Sequence, residues 1–272
     1  MKTIELRDDD FQRLADFTYS DLSSLKNWEQ PLKFRENTYV IEQKASGPCG
    51  FLAVLNSHIV LKKNDPENSS LSQDDLLISV LLDLFTRVST YRNTSNPEYK
   101  PIYAFCDCLI PENNYIHFQY TESYDEAYNF LNRTNYVNAY NACLMITLSI
   151  IFSSLGMKEF QNPPEESYIF TDKMTSMSFV WLMLNGSCTS DAIKKVEESN
   201  FVGIAQQEIG LKVLDNPDKR VVGTWLNQKA RIFVCHKFMH FFATKINGDK
   251  LIVYDSLNEK SPYEIDRDKL EC

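Results

Sequence analysis

Cys49 follows Ser46-Gly47-Pro48 and precedes Gly50 and an apolar run of Phe51, Leu52, Val54, Leu55, Ile59 and Leu61. A Gly-Pro turn leading into a buried-helix pattern predicts a thiol in the first turn of a core helix. At that position the helix dipole and the unpaired backbone N–H groups favour the thiolate, which is the form that attacks a carbonyl. Gly47 and Gly50 flank the sulfur and leave room for a substrate backbone to approach it. Taken alone, such a cysteine reads as a buried structural thiol, so its partners decide.

A base for Cys49 must come from four histidines, His58, His117, His236 and His240. The run His240-Phe-Phe-Ala-Thr-Lys-Ile246 and the run Lys250-Leu-Ile-Val-Tyr-Asp255 are β-rich, with Asn247-Gly248 between them. Asn-Gly between apolar strands predicts a two-residue hairpin with a type I′ turn. With those two as the central residues, Ile246 faces Asp249 and His240 falls opposite Asp255, close enough for the carboxylate to orient the imidazole. The order Cys49, His240, Asp255 is that of a papain-like triad. His236 is the rival base, sharing strand parity with His240 if one strand runs through both. Six residues before the cysteine, Gln43 offers a side-chain amide that can join the Cys49 N–H in stabilising an oxyanion.

The elements that must position these groups are legible in part. Phe11, Leu14, Phe17 and Leu22 suggest an N-terminal helix from Asp8 to about residue 26, and 39–43 reads as a short extended segment. Ser72 and Asp75 resemble a capping box before a broad stripe of Leu76, Leu77, Val80, Leu81, Leu84, Phe85 and Val88, read as core. Residues 142–155 and 174–184 are further helix candidates, and 101–141 shows no decisive period. Helices followed by strands, with Arg231-Ile-Phe-Val-Cys235 opening a C-terminal antiparallel sheet, predict an α+β fold. No linker composition divides the 272 residues, so one catalytic domain over 1–272 is expected.

The formal charge of −9 argues against phosphate-backbone binding, and hence against nucleic acid. The run from Ala142 to Phe152 is too short to span a bilayer, and the charged N-terminus lacks the apolar core of a signal peptide, so a cytoplasmic protein with no membrane contact is expected. Seven cysteines at irregular spacing in a reducing compartment read as free thiols. Cys106, Cys108, Cys235 and His236 lack the gaps of common zinc hairpins, so neither metal nor cofactor is expected.

Beyond these derivations, Gln43-Lys-Ala-Ser-Gly-Pro-Cys-Gly50 resembles the nucleophile motif of one branch of the MINDY deubiquitinases. Further blocks resemble that branch in the same order: Ser176 to Gly186, Phe201-Val-Gly-Ile-Ala, Ile232 to Ala243, and Tyr254-Asp-Ser-Leu257. Met239 stands where the branch usually has a small or hydroxyl residue, Ser256 stands where it has glycine, and an Asp-Gly pair after the Gly186 block is missing. The resemblance implies a thiol-dependent isopeptidase acting on ubiquitin and polyubiquitin chains. It carries the nucleophile onto Cys49, the base onto His240 and the oxyanion donor onto Gln43. Two alternatives differ in function: a catalytically silent ubiquitin-binding protein, and a cysteine peptidase acting on a ubiquitin-like modifier.

Overall fold

The structure, a computed structural model, describes residues 1–18, 22–90, 100–159, 170–171, 174–186, 209–213 and 230–267. The motif at Phe201 lies outside these residues. The fold is mixed helix and sheet, as the α+β reading expects.

Two sheets flank a helical layer. The first is antiparallel and comprises β1 (Lys2–Arg7), β2 (Tyr103–Ile110) and β3 (Tyr115–Thr121), in the order β1-β3-β2. The second contains β6 (Ile209–Val213), β7 (Ile232–Lys237), β8 (His240–Asn247), β9 (Lys250–Tyr254) and β10 (Tyr263–Asp266), in the order β10-β9-β8-β7-β6. The expected antiparallel C-terminal sheet is therefore mixed, because β6 joins β7 in parallel while β7 through β10 pair antiparallel. A short hairpin of β4 (Phe170–Thr171) and β5 (Met174–Thr175) lies between.

The helices are α1 (Asp8–Thr18), α2 (Cys49–Lys63), α3 (Gln73–Thr90), α4 (Tyr124–Arg133), α5 (Ala142–Glu159) and α6 (Met177–Asn185). The N-terminal helix is shorter than expected, and a separate 3₁₀ segment follows over Leu22–Trp28. The segment 39–43 contributes only an isolated bridge from Ile41 to Phe34. The predicted cap of α3 is present, with the Asp75 N–H donating to Ser72 Oγ at 3.1 Å. Every residue of α2 from Cys49 to Val60 is buried, which explains why its sequence is apolar on all sides. α2 packs against α3, α6, β7 and β8, so the cysteine-bearing helix lies directly on the histidine-bearing sheet.

One contiguous apolar core reaches from Leu6 and Phe118 on the first sheet, through α2, α3 and α5, to Val234 and Phe241 on the second. The outer edge of β2 is covered by α5, whose Ser149 and Ser153 hydroxyls accept the Cys106 and Ala104 N–H groups at 2.7 and 3.2 Å. Two hydroxyls on an otherwise apolar helix thus satisfy a buried strand edge. Among the described residues, no helix is long and apolar enough to cross a membrane.

The β8–β9 hairpin departs from the predicted register. Asn247 pairs with Lys250, so Gly248 and Asp249 are the central turn residues, one position later than expected. Only Gly248 takes a positive φ, +61°, as a type II′ turn requires of its first central residue. Asn247 stays in the strand, and the ladder runs to Ala243 opposite Tyr254.

Candidate active site

Cys49 is the first residue of α2, with Pro48 at the N-cap and no side-chain cap. Gly47 sits at φ +130°, a backbone conformation open to glycine, and its carbonyl accepts from both the N–H and the hydroxyl of Thr175 at 2.9 Å. The same hydroxyl accepts the Phe51 N–H at 3.4 Å, so Thr175 serves the first turn of α2 from outside the helix. A Cβ at Gly50 would lie 2.5 Å from Thr175 Cγ2 and 3.0 Å from Val180 Cγ2. The space beside Gly50 is therefore filled by β5 and α6, which corrects the expectation that this glycine leaves room for substrate.

His240 opens β8. Its Nε2 lies 2.9 Å from Asp255 Oδ1, and the Cys49 thiol is near enough to interact electrostatically with the ring. Burial pulls the His240 pKa down, but the bond to Asp255 and the nearby Asp255 and Cys49 groups outweigh it, and the value rises from 6.5 to about 9. At neutral pH the ring is thus an imidazolium between a carboxylate and a sulfur. Burial opposes ionisation of Asp255, yet its bonds to His240 and to the Leu257 N–H, with the charge of His240, hold the carboxyl below its usual range.

Asp255 reaches His240 by a geometry other than direct pairing. Continuing the observed ladder by one step places Asp255 opposite Phe242, so His240 is its diagonal neighbour. The strand ends at Tyr254, and the chain then turns with the Leu257 N–H donating back to Asp255 Oδ1 at 3.0 Å. That bond is an Asx turn, which fixes the carboxylate as the chain leaves the sheet.

The other histidines are occupied elsewhere. His236 pairs with Phe241, its ring 4.5 Å from the Phe241 ring, while Lys237 pairs with His240. A two-residue turn separates the two histidines and puts them on opposite faces, so the parity argument for His236 fails. His58 is buried in α2, bonded to the Val54 carbonyl at 2.9 Å and to Arg87 at 2.6 Å. His117 bonds Asp107 on the first sheet.

Gln43 is buried, and its amide orientation is set by neighbours. The Ser256 hydroxyl donates to Gln43 Oε1 at 2.8 Å, and Gln43 Nε2 donates to the Ala45 carbonyl at 2.7 Å. The Gln43 N–H also donates to the Ser256 carbonyl at 3.0 Å. Gln43 is thereby joined to the residue that follows Asp255. An amide nitrogen carries two protons, and the bond to Ala45 occupies one of them.

Several supporting residues carry no sequence signal. Gln30 brackets Gln43, donating to the Glu42 carbonyl at 3.0 Å and accepting the Lys44 N–H at 2.9 Å. Arg35 donates to the carbonyls of Ser256, Asn258 and Ser261, clamping the loop that begins at Asp255. Ser261 Oγ in turn accepts the Asp255 N–H at 2.7 Å. Each partner is a backbone group remote in sequence, and no spacing or composition marks such a contact.

Cys49, Cys106, Cys108, Cys143 and Cys235 are free thiols. Among the described residues, no three His, Cys, Asp or Glu side chains gather closely enough to hold a metal ion. Compared with known proteins, the chain matches no family model, no curated protein and no solved structure. A thiol at a helix start, beside an imidazolium that bonds a carboxylate, is an arrangement capable of acyl transfer.

Proposed function

We propose that this chain is a cytoplasmic deubiquitinase, a thiol isopeptidase with a papain-like catalytic core that hydrolyses polyubiquitin. The observation that carries the chemistry is that His240 bonds Asp255 at 2.9 Å and interacts with the thiol of Cys49 at the start of α2. Ubiquitin as the modifier rests on the ordered motifs from Gln43 to Leu257 that resemble the MINDY deubiquitinases.

In the proposed reaction the Cys49 thiolate attacks the isopeptide carbonyl, and the negative charge moves to its oxygen. The Cys49 N–H and the second Gln43 amide proton stabilise that oxyanion. Collapse breaks the C–N bond as the His240 imidazolium protonates the departing lysine amine, leaving a thioester on Cys49. The now neutral His240 takes a proton from water, the hydroxide attacks the thioester, and the modifier's carboxylate leaves as the thiolate and imidazolium are restored. Asp255 holds the ring in place and stabilises its charge throughout.

The test is reaction with a ubiquitin whose C-terminus carries a thiol-reactive warhead, read by intact mass for wild type, Cys49→Ala and His240→Ala. The reading requires an adduct on Cys49 that is absent in Cys49→Ala and slowed in His240→Ala. Ubiquitin chains that bind without forming an adduct would instead indicate a silent binding protein. Reaction with a ubiquitin-like probe alone would indicate another modifier.

A further inference from the structure

The turn between β7 and β8 carries side chains that its backbone disfavours. Lys237 pairs with His240, so Phe238 and Met239 are the two central residues. Both are left-handed, at φ +50° and +62°, the pattern of a type I′ turn. That turn favours Asn-Gly, because residues with larger side chains are strained at positive φ. Here it holds a phenylalanine that is 76% exposed and a methionine that is 62% exposed.

A third exposed apolar residue lies two positions beyond Asp255. Leu257 is 48% exposed, and its N–H and His240 Nε2 meet on the same Asp255 oxygen. The described exposed large hydrophobics are Met1, Ile110, Tyr124, Tyr140, Phe238, Met239 and Leu257. Three of them thus fall within two residues of the base or its carboxylate. Backbone strain and unfavourable hydration coincide at one edge of the catalytic dyad, and a strained conformation beside a reactive site points to function.

Building on the deubiquitinase reading, we propose that Phe238, Met239 and Leu257 form an apolar rim that grips the folded body of ubiquitin beside its scissile tail. The shape favours the body over the tail. An extended tail needs a groove lined on both sides, whereas a hairpin tip protrudes and presses its side chains into an apolar patch on a folded surface. Continuity with His240 makes this contact part of placing the carbonyl at Cys49. The rim supplies binding energy away from the reacting bond, which orients the bond for attack.

The test replaces the turn by the residues its backbone prefers, Phe238→Asn together with Met239→Gly. Labelling rates are measured with the full ubiquitin warhead probe and with the same warhead on the isolated C-terminal tail peptide. The ratio of the ubiquitin rate to the tail-peptide rate is expected to fall at least tenfold in the variant, while its melting temperature holds or rises. A melting temperature that drops, together with loss of both rates, would make the turn a structural element and overturn the rim. An unchanged ratio would overturn it as well, with the deubiquitinase reading intact. Wild-type protein that fails to react with the ubiquitin probe would refute the deubiquitinase reading itself and remove the rim with it.

Discussion

His240 and Asp255 meet at 2.9 Å from diagonal positions of the β8–β9 ladder, just where that ladder ends. A carboxylate within the strand would be aimed by the sheet alone. Here it is aimed by the Asx turn to Leu257, by the Ser261 hydroxyl on the Asp255 N–H, and by the loop that Arg35 clamps. The His240–Asp255 contact therefore depends on residues outside the sheet.

Asp255→Asn is expected to lower kcat/KM by about 10²- to 10⁴-fold, because the imidazolium loses its counter-charge and its orientation. The same change should move the alkaline limb of the kcat/KM profile. In the proposed reaction the wild-type limb is expected near the His240 value of about 9, since the acid that would protonate the leaving amine is lost as pH rises through it. Without Asp255 the limb should appear at lower pH, and pH-rate profiles of the two proteins check this.

Arg35 should behave as a positioning residue. Arg35→Ala removes the donor to three loop carbonyls and is expected to lower kcat with little change in KM, and to shift the alkaline limb as Asp255→Asn does. Arg35→Lys should fail to restore the wild-type profile, because a single ammonium cannot reproduce the guanidinium fork. A variant that loses stability but keeps the wild-type pH profile would refute the positioning role.

Gly50→Ala brings a methyl against Thr175 Cγ2 and Cβ, at 2.5 and 2.8 Å, and must displace β5 or the start of α2. Overpacking of this kind costs about 1–3 kcal/mol. The melting temperature should fall and Cys49 labelling should slow. Adding Thr175→Ser, which keeps the hydroxyl and removes Cγ2, should recover part of both; no recovery would place the clash elsewhere.

His58 makes the fold acid-sensitive. Burial, with the positive charge of Arg87, lowers its pKa from 6.5 to about 3, so the folded protein holds it neutral where the unfolded chain takes up a proton. A depressed histidine pKa means that stability is full above pH 6.5 and is lost as pH falls towards 3, at up to about 1.4 kcal/mol per pH unit. Urea unfolding at pH 7 and pH 5 should show a larger loss for wild type than for His58→Gln.

The residue types and spacing place Cys49 at its helix start and His240 beside Asp255, although Asn247-Gly248 points to a hairpin turn one residue early. Moving the centre of a two-residue turn by one position shifts every pairing by two, and strand side chains alternate with period two. His240 and Asp255 therefore stay on one face in either register. The first sheet was not legible because β2 is buried on both sides from Tyr103 to Cys106 and bulges between Cys106 and Cys108. Each feature removes the alternation by which a strand is read. Residues such as Gln30, Arg35 and Thr175 act on backbone groups brought near only by the fold.

The Gln43–Ser256 bond spans 213 residues of chain. During synthesis the helix that carries Cys49 is made well before the strands that carry His240 and Asp255 and the loop that fixes Gln43. Contacts of such long range form late in folding, after most of the chain has collapsed. A nascent chain that has not yet reached residue 240 thus carries Cys49 without His240 or Asp255 beside it, and Gln43 without the Ser256 hydroxyl that orients its amide.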